Sequence, residues 1–215
     1  MNGIKILESM RKYGVKKIVY SSSSGAYGEP RHTPIKEDDP TNPINPYGSA
    51  KLAFERVLSA YSHSFGMHTT CLRYYNVYGP RDEQRPATRA VPNWIKSALQ
   101  NQPLTLYWNG QQKKDYIFVE DVVRANLMAA EKCTGFNTYN VGSGMGMKMI
   151  EVAKLLEKIF EKKLEIKQMG ERPGDPNVLI ADITKIKKEL GWQPLVSFEQ
   201  GLRKTIEYYA SQLAR

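Results

Sequence analysis

The sequence predicts an α/β fold, a doubly wound parallel sheet joined to a smaller α/β lobe. Residues 3–13 carry helical apolar spacing through Ile4, Ile6, Leu7 and Met10, and they run to Gly14, a C-terminal cap. Lys17-Ile18-Val19-Tyr20 then reads as a short buried strand that opens into the serines 21–24. This order of helix, apolar strand and polar loop recurs along the chain, with no internal repeat and no low-complexity tract.

The remaining elements follow the same logic. The stretch 28–46 is rich in Pro, Thr, Asn and Asp and reads as a loop. Asn45-Pro46 starts a helix to about Ser64, with Leu52, Phe54, Val57, Leu58 and Tyr61 on its apolar face. Thr69–Tyr75 reads as a strand, broken by Asn76-Val77-Tyr78-Gly79-Pro80. A helix over 91–99, strands over 104–108 and 115–119, and a helix over 120–132 come next. Asn137–Val141 reads as a strand that turns at Gly142-Ser143-Gly144. The last third holds a helix over 148–161, a strand over 164–168, a Pro/Gly loop at 172–176, and helices near 183–190 and 197–212. Asp182 or Thr184 caps the penultimate helix and Gly191 ends it. Residues 1–80 are expected to hold one sheet domain and 81–215 mainly a covering lobe, with about 115–141 returning to the first domain.

Composition narrows the function classes. With 41% hydrophobic and 25% charged residues the chain is ordinary for a globular protein. No apolar run reaches membrane-spanning length and the N-terminus lacks a signal core, so the expectation is a cytoplasmic protein with no membrane partner. Cys71 and Cys133 have no metal-ligand spacing and read as reduced structural thiols. The net charge of +9 admits a nucleic-acid surface, or a solvated exterior with a pocket for an anionic small molecule. Its lysines are dispersed over helical faces and no recognition helix or zinc-finger spacing accompanies them, which favours the second reading.

The chemistry-bearing pattern is Tyr47-Gly48-Ser49-Ala50-Lys51 after the serine run. On a helix Tyr47 and Lys51 share one face. An ammonium so placed favours the phenolate and suits the tyrosine to acid–base work. A serine hydroxyl at the end of the preceding strand can bond the same substrate oxygen. The spacing also arises by chance in helices, and this chain has 13 tyrosines.

The motifs Val19-Tyr20-Ser21-Ser22-Ser23-Ser24-Gly25-Ala26-Tyr27-Gly28, Asn45-Pro46-Tyr47-Gly48-Ser49-Ala50-Lys51 and Leu72-Arg73-Tyr74-Tyr75-Asn76-Val77-Tyr78-Gly79-Pro80 set that pattern in a wider frame. Lys114-Asp115-Tyr116-Ile117-Phe118-Val119-Glu120-Asp121-Val122, Tyr139-Asn140-Val141-Gly142, Arg172-Pro173-Gly174-Asp175 and Leu190-Gly191-Trp192 extend it. In this order they resemble the extended short-chain dehydrogenase/reductases, in particular the nucleotide-sugar epimerase/dehydratase group of UDP-glucose 4-epimerase type. The resemblance covers the whole chain. It implies the C-terminal portion of a Rossmann-like doubly wound sheet with a substrate-binding lobe, and NAD as cofactor. It implies Ser23 as catalytic serine, Tyr47 as general base and Lys51 as the lysine on the nicotinamide ribose. Ser21, Ser22, Tyr74 and Val77 would line the cofactor. Asn76, Thr105, Tyr107, Lys114, Arg172 and Asp175 would meet the diphosphate sugar, a UDP-sugar above all, with Arg172 suited to a bidentate phosphate contact. A homodimer through the helix 47–64 is also implied.

Two departures bear on the reaction. Most members of the group carry Arg where this chain has Lys114, which keeps the charge without the planar fork; phosphate contact and a surface lysine both stay open. Sugar 4,6-dehydratases place Asp-Glu after the serine or threonine, where this chain has Ser24 and Gly25. That favours epimerisation at C4, by proton transfer through Tyr47 and a hydride lent to NAD, over dehydratase, decarboxylase or reductase chemistry. The group's glycine-rich dinucleotide loop is missing from this sequence. Gly142-Ser143-Gly144-Met145-Gly146 is the nearest glycine cluster and matches a later turn of the group. The chain is therefore expected to lack an N-terminal part, to bind NAD poorly and to be weakly active or inactive. A non-catalytic sugar-nucleotide-binding remnant is the alternative.

Overall fold

The computed structural model describes residues 2–82, 89–171 and 173–213. Helix α1 (Asn2–Lys12) leads into β1 (Lys17–Ser23), a 3-10 turn at Ser24–Ala26, and α2 (Pro46–Phe65). Strands β2 (His68–Tyr74) and β3 (Asn76–Tyr78) follow, then α3 (Ala90–Leu99), β4 (Leu104–Leu106) and a 3-10 turn at Trp108–Gly110. Next come β5 (Lys113–Phe118), α4 (Val119–Lys132), β6 (Phe136–Val141), β7 (Gly146–Lys148) and α5 (Met149–Phe160). The chain closes with β8 (Ile166–Gln168), β9 (Val178–Leu179), α6 (Thr184–Leu190) and α7 (Phe198–Leu213).

Strands β1, β2 and β6 form a parallel sheet in that order, with Tyr20 opposite Cys71 and Cys71 opposite Thr138. Side chains alternate across it, as the pleat demands. Cys71 faces α1 and α2 in a cluster with Leu7, Leu58 and Met67, whereas Leu72 faces α4 and α6 with Val122, Ala125, Ile186 and Trp192. Helix α2 begins and ends where its caps dictate. Asn45 Oδ1 accepts from Gly48 N at 2.8 Å, Pro46 fills the first turn, and Gly66 takes the left-handed cap at φ 65.

The second sheet is built around β5. It pairs with β3 in parallel through Tyr116–Phe118 and with β7 antiparallel through Lys113–Asp115, and β9 joins it beside Lys113. Of the stretch 115–141, α4 packs on the first sheet and β6 joins it, while β5 centres the second. Strands β4 and β8 make a small parallel pair, and α3, α5 and α7 enclose a core of Trp94, Ile95, Leu104, Val152, Leu156 and Leu202.

The expected elements all form, with three differences. Asn76–Tyr78 is a strand rather than a break, because β5 offers it a partner edge. Strands β7 and β9, three and two residues long, form where none was expected. The strand expected over 104–108 stops at Leu106, since Trp108, Asn109 and Gly110 turn into left-handed backbone at φ 53, 49 and 71. No helix among the described residues is long and apolar enough to cross a membrane.

Candidate active site

Strands β1, β2 and β6 run in parallel, and their C-terminal ends carry the polar residues that sequence reading picked out; such ends are where open α/β sheets bind ligands. Ser23 closes β1 and caps the 3-10 turn, its Oγ accepting from Gly25 N at 3.1 Å. A methyl group on Gly25 would lie 3.4 Å from Ser23 Oγ and 3.8 Å from Cδ1 of Tyr47. The serine hydroxyl and the tyrosine ring thus share the space above one glycine. The start of α2 comes this close because Gly48 also lacks a side chain, which would overlap the Gly25 carbonyl. Tyr47 itself is 60% exposed. One turn on, Lys51 Nζ lies 5.6 Å from the Tyr47 ring centre and donates to Ser21 O at 2.8 Å.

The serines of β1 separate by alternation. Ser21 Oγ meets Tyr74 OH at 3.1 Å, and Tyr74 donates to Asn126 Oδ1 of α4 at 2.8 Å. Ser22 points the other way and is buried, its hydroxyl held by Glu55. Glu55 and Arg73 form a buried ion pair at 2.7 Å, and Arg73 also donates to Glu37 O at 3.1 Å. Val77 packs against the cluster of Leu72 and Ile117.

The expected substrate residues lie on other segments. Asn76 Nδ2 donates to Asp115 O at 2.9 Å. Thr105 is exposed on β4, and Tyr107 starts the 3-10 turn that follows. Lys114 is not a surface lysine: it is buried in β5, and its Nζ donates to Asp175 Oδ1 at 2.6 Å and to Pro176 O. The other carboxylate oxygen of Asp175 accepts from Gln112 Nε2 at 3.2 Å. Arg172 lies outside the described residues. Asn45 ties the two regions together, because the residue that caps the Tyr47 helix also donates to Gly174 O at 3.0 Å.

Sequence reading passed over Asn126, Gln112, Glu55 and the bridging role of Asn45. Glu55 had a visible signal: a carboxylate three residues before Leu58, on the apolar face of α2.

The glycine turn 142–144 is committed elsewhere. Asp115, fully buried, accepts from Ser143 N at 2.7 Å, Ser143 Oγ at 2.6 Å, Gly144 N at 3.0 Å and Ala181 N at 3.1 Å. A side chain at Gly142 would run into Asp115 and Ala181. These amides hold a carboxylate of the chain itself, so they offer no free phosphate cradle. Burial pushes the Asp115 carboxyl up to about 6, against the bonds from Ser143, Ala181 and Gly144 that pull it down. Its folded value stands above the unfolded one, so the folded chain takes up this proton first as pH falls. The contribution of Asp115 to stability therefore grows from about pH 6 to about pH 4, by on the order of 2 kcal/mol. Denaturation midpoints of wild type and Asp115→Asn, compared from about pH 7 down to about pH 4, should separate in the wild type's favour. A constant gap would show that Asp115 does not titrate there.

The sequence model of the family described as GDP-mannose 4,6 dehydratase matches residues 1–205. The chain belongs to that family. A putative UDP-glucose 4-epimerase of Methanocaldococcus jannaschii is 34% identical over 206 residues, covering 95% of this chain and 67% of that protein. Among solved structures, UDP-glucose 4-epimerase of Thermotoga maritima with UDP-glucose is 40% identical at a TM-score of 0.90, covering 96% of this chain and 67% of that one. UDP-glucose 4-epimerase of Thermus thermophilus, in complex with NAD, is 35% identical at a TM-score of 0.90, with coverage of 97% and 68%. The chain spans about two thirds of the length of the curated relatives it matches, 62–67% across four of them. This family member therefore shares the nucleotide-sugar epimerase fold over that length.

Proposed function

We propose that the chain is the acid–base and sugar-nucleotide-binding part of an NAD-dependent UDP-hexose 4-epimerase. The observation that carries this is the meeting of Ser23 and Tyr47 over Gly25, with Lys51 one helical turn away and anchored to the strand of the serine. Tyr47 takes the proton of the sugar C4 hydroxyl and returns it once the sugar has turned over. Ser23 bonds the same oxygen and keeps it between the two groups. The positions just after the serine supply no second acid, since Ser24 is a buried serine and Gly25 has no side chain, and Glu55 is held by Arg73 and Ser22. Water loss from the sugar needs such an acid; epimerisation does not.

The residues present fit the ribose end of NAD. Lys51 uses one N–H on Ser21 O, and an ammonium has two more for ribose hydroxyls. The glycine turn 142–144 offers the diphosphate no free amides, since those of Ser143 and Gly144 are held by Asp115. NAD, when bound, supplies the acceptor and donor of hydride at C4.

The test is to incubate the chain with NAD and UDP-glucose and to follow UDP-galactose by NMR, with NAD affinity measured by calorimetry. Weak NAD binding and slow C4 interconversion are expected of this chain by itself. A keto-deoxy sugar would place it with the dehydratases instead. UDP binding with no product, under conditions where NAD is bound, would leave a sugar-nucleotide-binding module without catalysis.

A further inference from the structure

Asparagine, aspartate, serine and threonine all serve as helix N-caps, through a side-chain oxygen that accepts from the first turn. Of the four, asparagine alone sets an amide N–H donor beside that oxygen. At Asn45 both ends are in use. Its Oδ1 accepts from Gly48 N at 2.8 Å, and its Nδ2 donates to Gly174 O at 3.0 Å, 129 residues along the chain. A cap alone does not call for asparagine; the second bond does.

Both elements that Asn45 joins belong to the candidate site. On one side is the first turn of α2. Tyr47 is 60% exposed there, so surrounding side chains do little to fix its ring, and the phenol goes where the helix start goes. That start rests on Gly25 through the bare Gly48, and Asn45 ties it to Gly174. On the other side, Gly174 turns at φ 78, and a side chain there would lie 3.6 Å from Asn45 Cβ and 3.7 Å from Ile44 O. The turn thus lies against the residues that lead into α2. Asp175 comes next, gripped by Lys114 Nζ at 2.6 Å and Gln112 Nε2 at 3.2 Å, and Glu29 Oε2 accepts from Asn177 N at 3.2 Å. Segment 174–177 is fastened to Lys114 of β5 on one flank and to the approach to α2 on the other.

We propose that Asn45 is a positioning residue that couples nucleotide binding at 174–177 to the placement of Tyr47. A nucleotide held by this segment orders the turn at Gly174 and, through the Nδ2 bond, the first turn of α2. The inference rests on the sugar-nucleotide reading above, which brings the ligand to Asp175. A ligand moves a distant group only by as much as the contacts between them differ in the two states. Here the link is one neutral hydrogen bond, so the effect is about five- to tenfold at most, the worth of that bond.

UDP is the probe, because it carries the diphosphate and lacks the sugar that would touch Tyr47. Amide hydrogen exchange is followed with and without UDP in two stretches, 46–51 and 173–179. In the wild-type chain UDP should slow both, the first by about five- to tenfold. In Asn45→Ser, which keeps a neutral cap and removes the amide N–H, UDP should slow the second alone. An unchanged thermal midpoint checks that the variant keeps its cap and its fold, and the wild-type measurement needs no variant. Where a preparation turns over, Asn45→Ser should lower kcat about five- to tenfold and leave KM within about twofold, a split that a cap alone would not give. UDP binding that leaves either stretch of the wild-type chain unprotected, or that slows 46–51 equally in Asn45→Ser, would overturn the coupling and leave the sugar-nucleotide reading standing. A wild-type chain that takes up no UDP by calorimetry would overturn both.

Discussion

Replacing Glu55 by leucine is expected to lower the unfolding free energy by about 3–5 kcal/mol, because it strands a buried guanidinium without its partner. Glu55 and Arg73 are 2% and 5% exposed, and their 2.7 Å contact is supported by two further hydrogen bonds at 3.1 and 3.3 Å. Water cannot reach Arg73 to replace what leucine removes. Its remaining partners are the Glu37 carbonyl at 3.1 Å and the Tyr27 ring at 4.6 Å, and neither carries the compensating charge. Urea denaturation of wild type and Glu55→Leu at neutral pH measures the loss. A midpoint within error of wild type would mean that Arg73 keeps its solvation by another route.

The double variant Glu55→Leu/Arg73→Met separates burial from pairing. If the single loss comes from an orphaned charge, the double variant should be more stable than Glu55→Leu. The network also reaches the site. Ser22 hangs from Glu55, and Ser23 is the next residue along β1. Tyr27, which donates to Asn140 Oδ1 at 2.7 Å under the Arg73 guanidinium, fixes the far side of the same turn. The polar core beneath the serines therefore braces the end of β1 that carries Ser23, which is the support its proposed role needs.

The fold was legible wherever an element carried its own signal. Helix α2 announces both ends, through Asn45-Pro46 and Gly66, and β1 and β2 announce themselves by apolar runs. Strands β7 and β9 had none, since two or three residues become a strand only because β5 lies beside them. In the site, the meeting of Ser23 with Tyr47 was readable from motif order. The fate of Lys114 was not, because its partner Asp175 is 61 residues away and only the packing of β5 buries the pair. The inward turn of Ser22 was available in principle: on a strand with period two, Ser21 and Ser22 must face opposite sides. The strain at Trp108 could not be read, as nothing in Tyr107-Trp108-Asn109-Gly110 forces an aromatic residue into left-handed backbone.

Tyr47→Phe is expected to reduce C4 epimerisation by roughly 10²–10⁴-fold while leaving UDP affinity within about twofold, the signature of losing a proton carrier rather than a binding group. The change deletes one oxygen at the start of α2, at a residue 60% exposed, so the packing of Gly25 against Gly48 and the cap at Asn45 should survive. Lys51→Met should act differently, since it removes both the charge beside the phenol and the tie from Lys51 Nζ to Ser21 O, and cofactor affinity should fall along with turnover. On the proposed roles, Ser23→Ala should keep the proton carrier and lose only the second contact to the substrate oxygen, together with the cap on Gly25 N, so its loss should be the smallest of the three. The order of turnover, Ser23→Ala above Lys51→Met and Tyr47→Phe, is read from rates of UDP-glucose interconversion in any preparation that shows wild-type turnover. A Tyr47→Phe chain as fast as wild type would remove the phenol from the chemistry and leave the helix start as a packing feature.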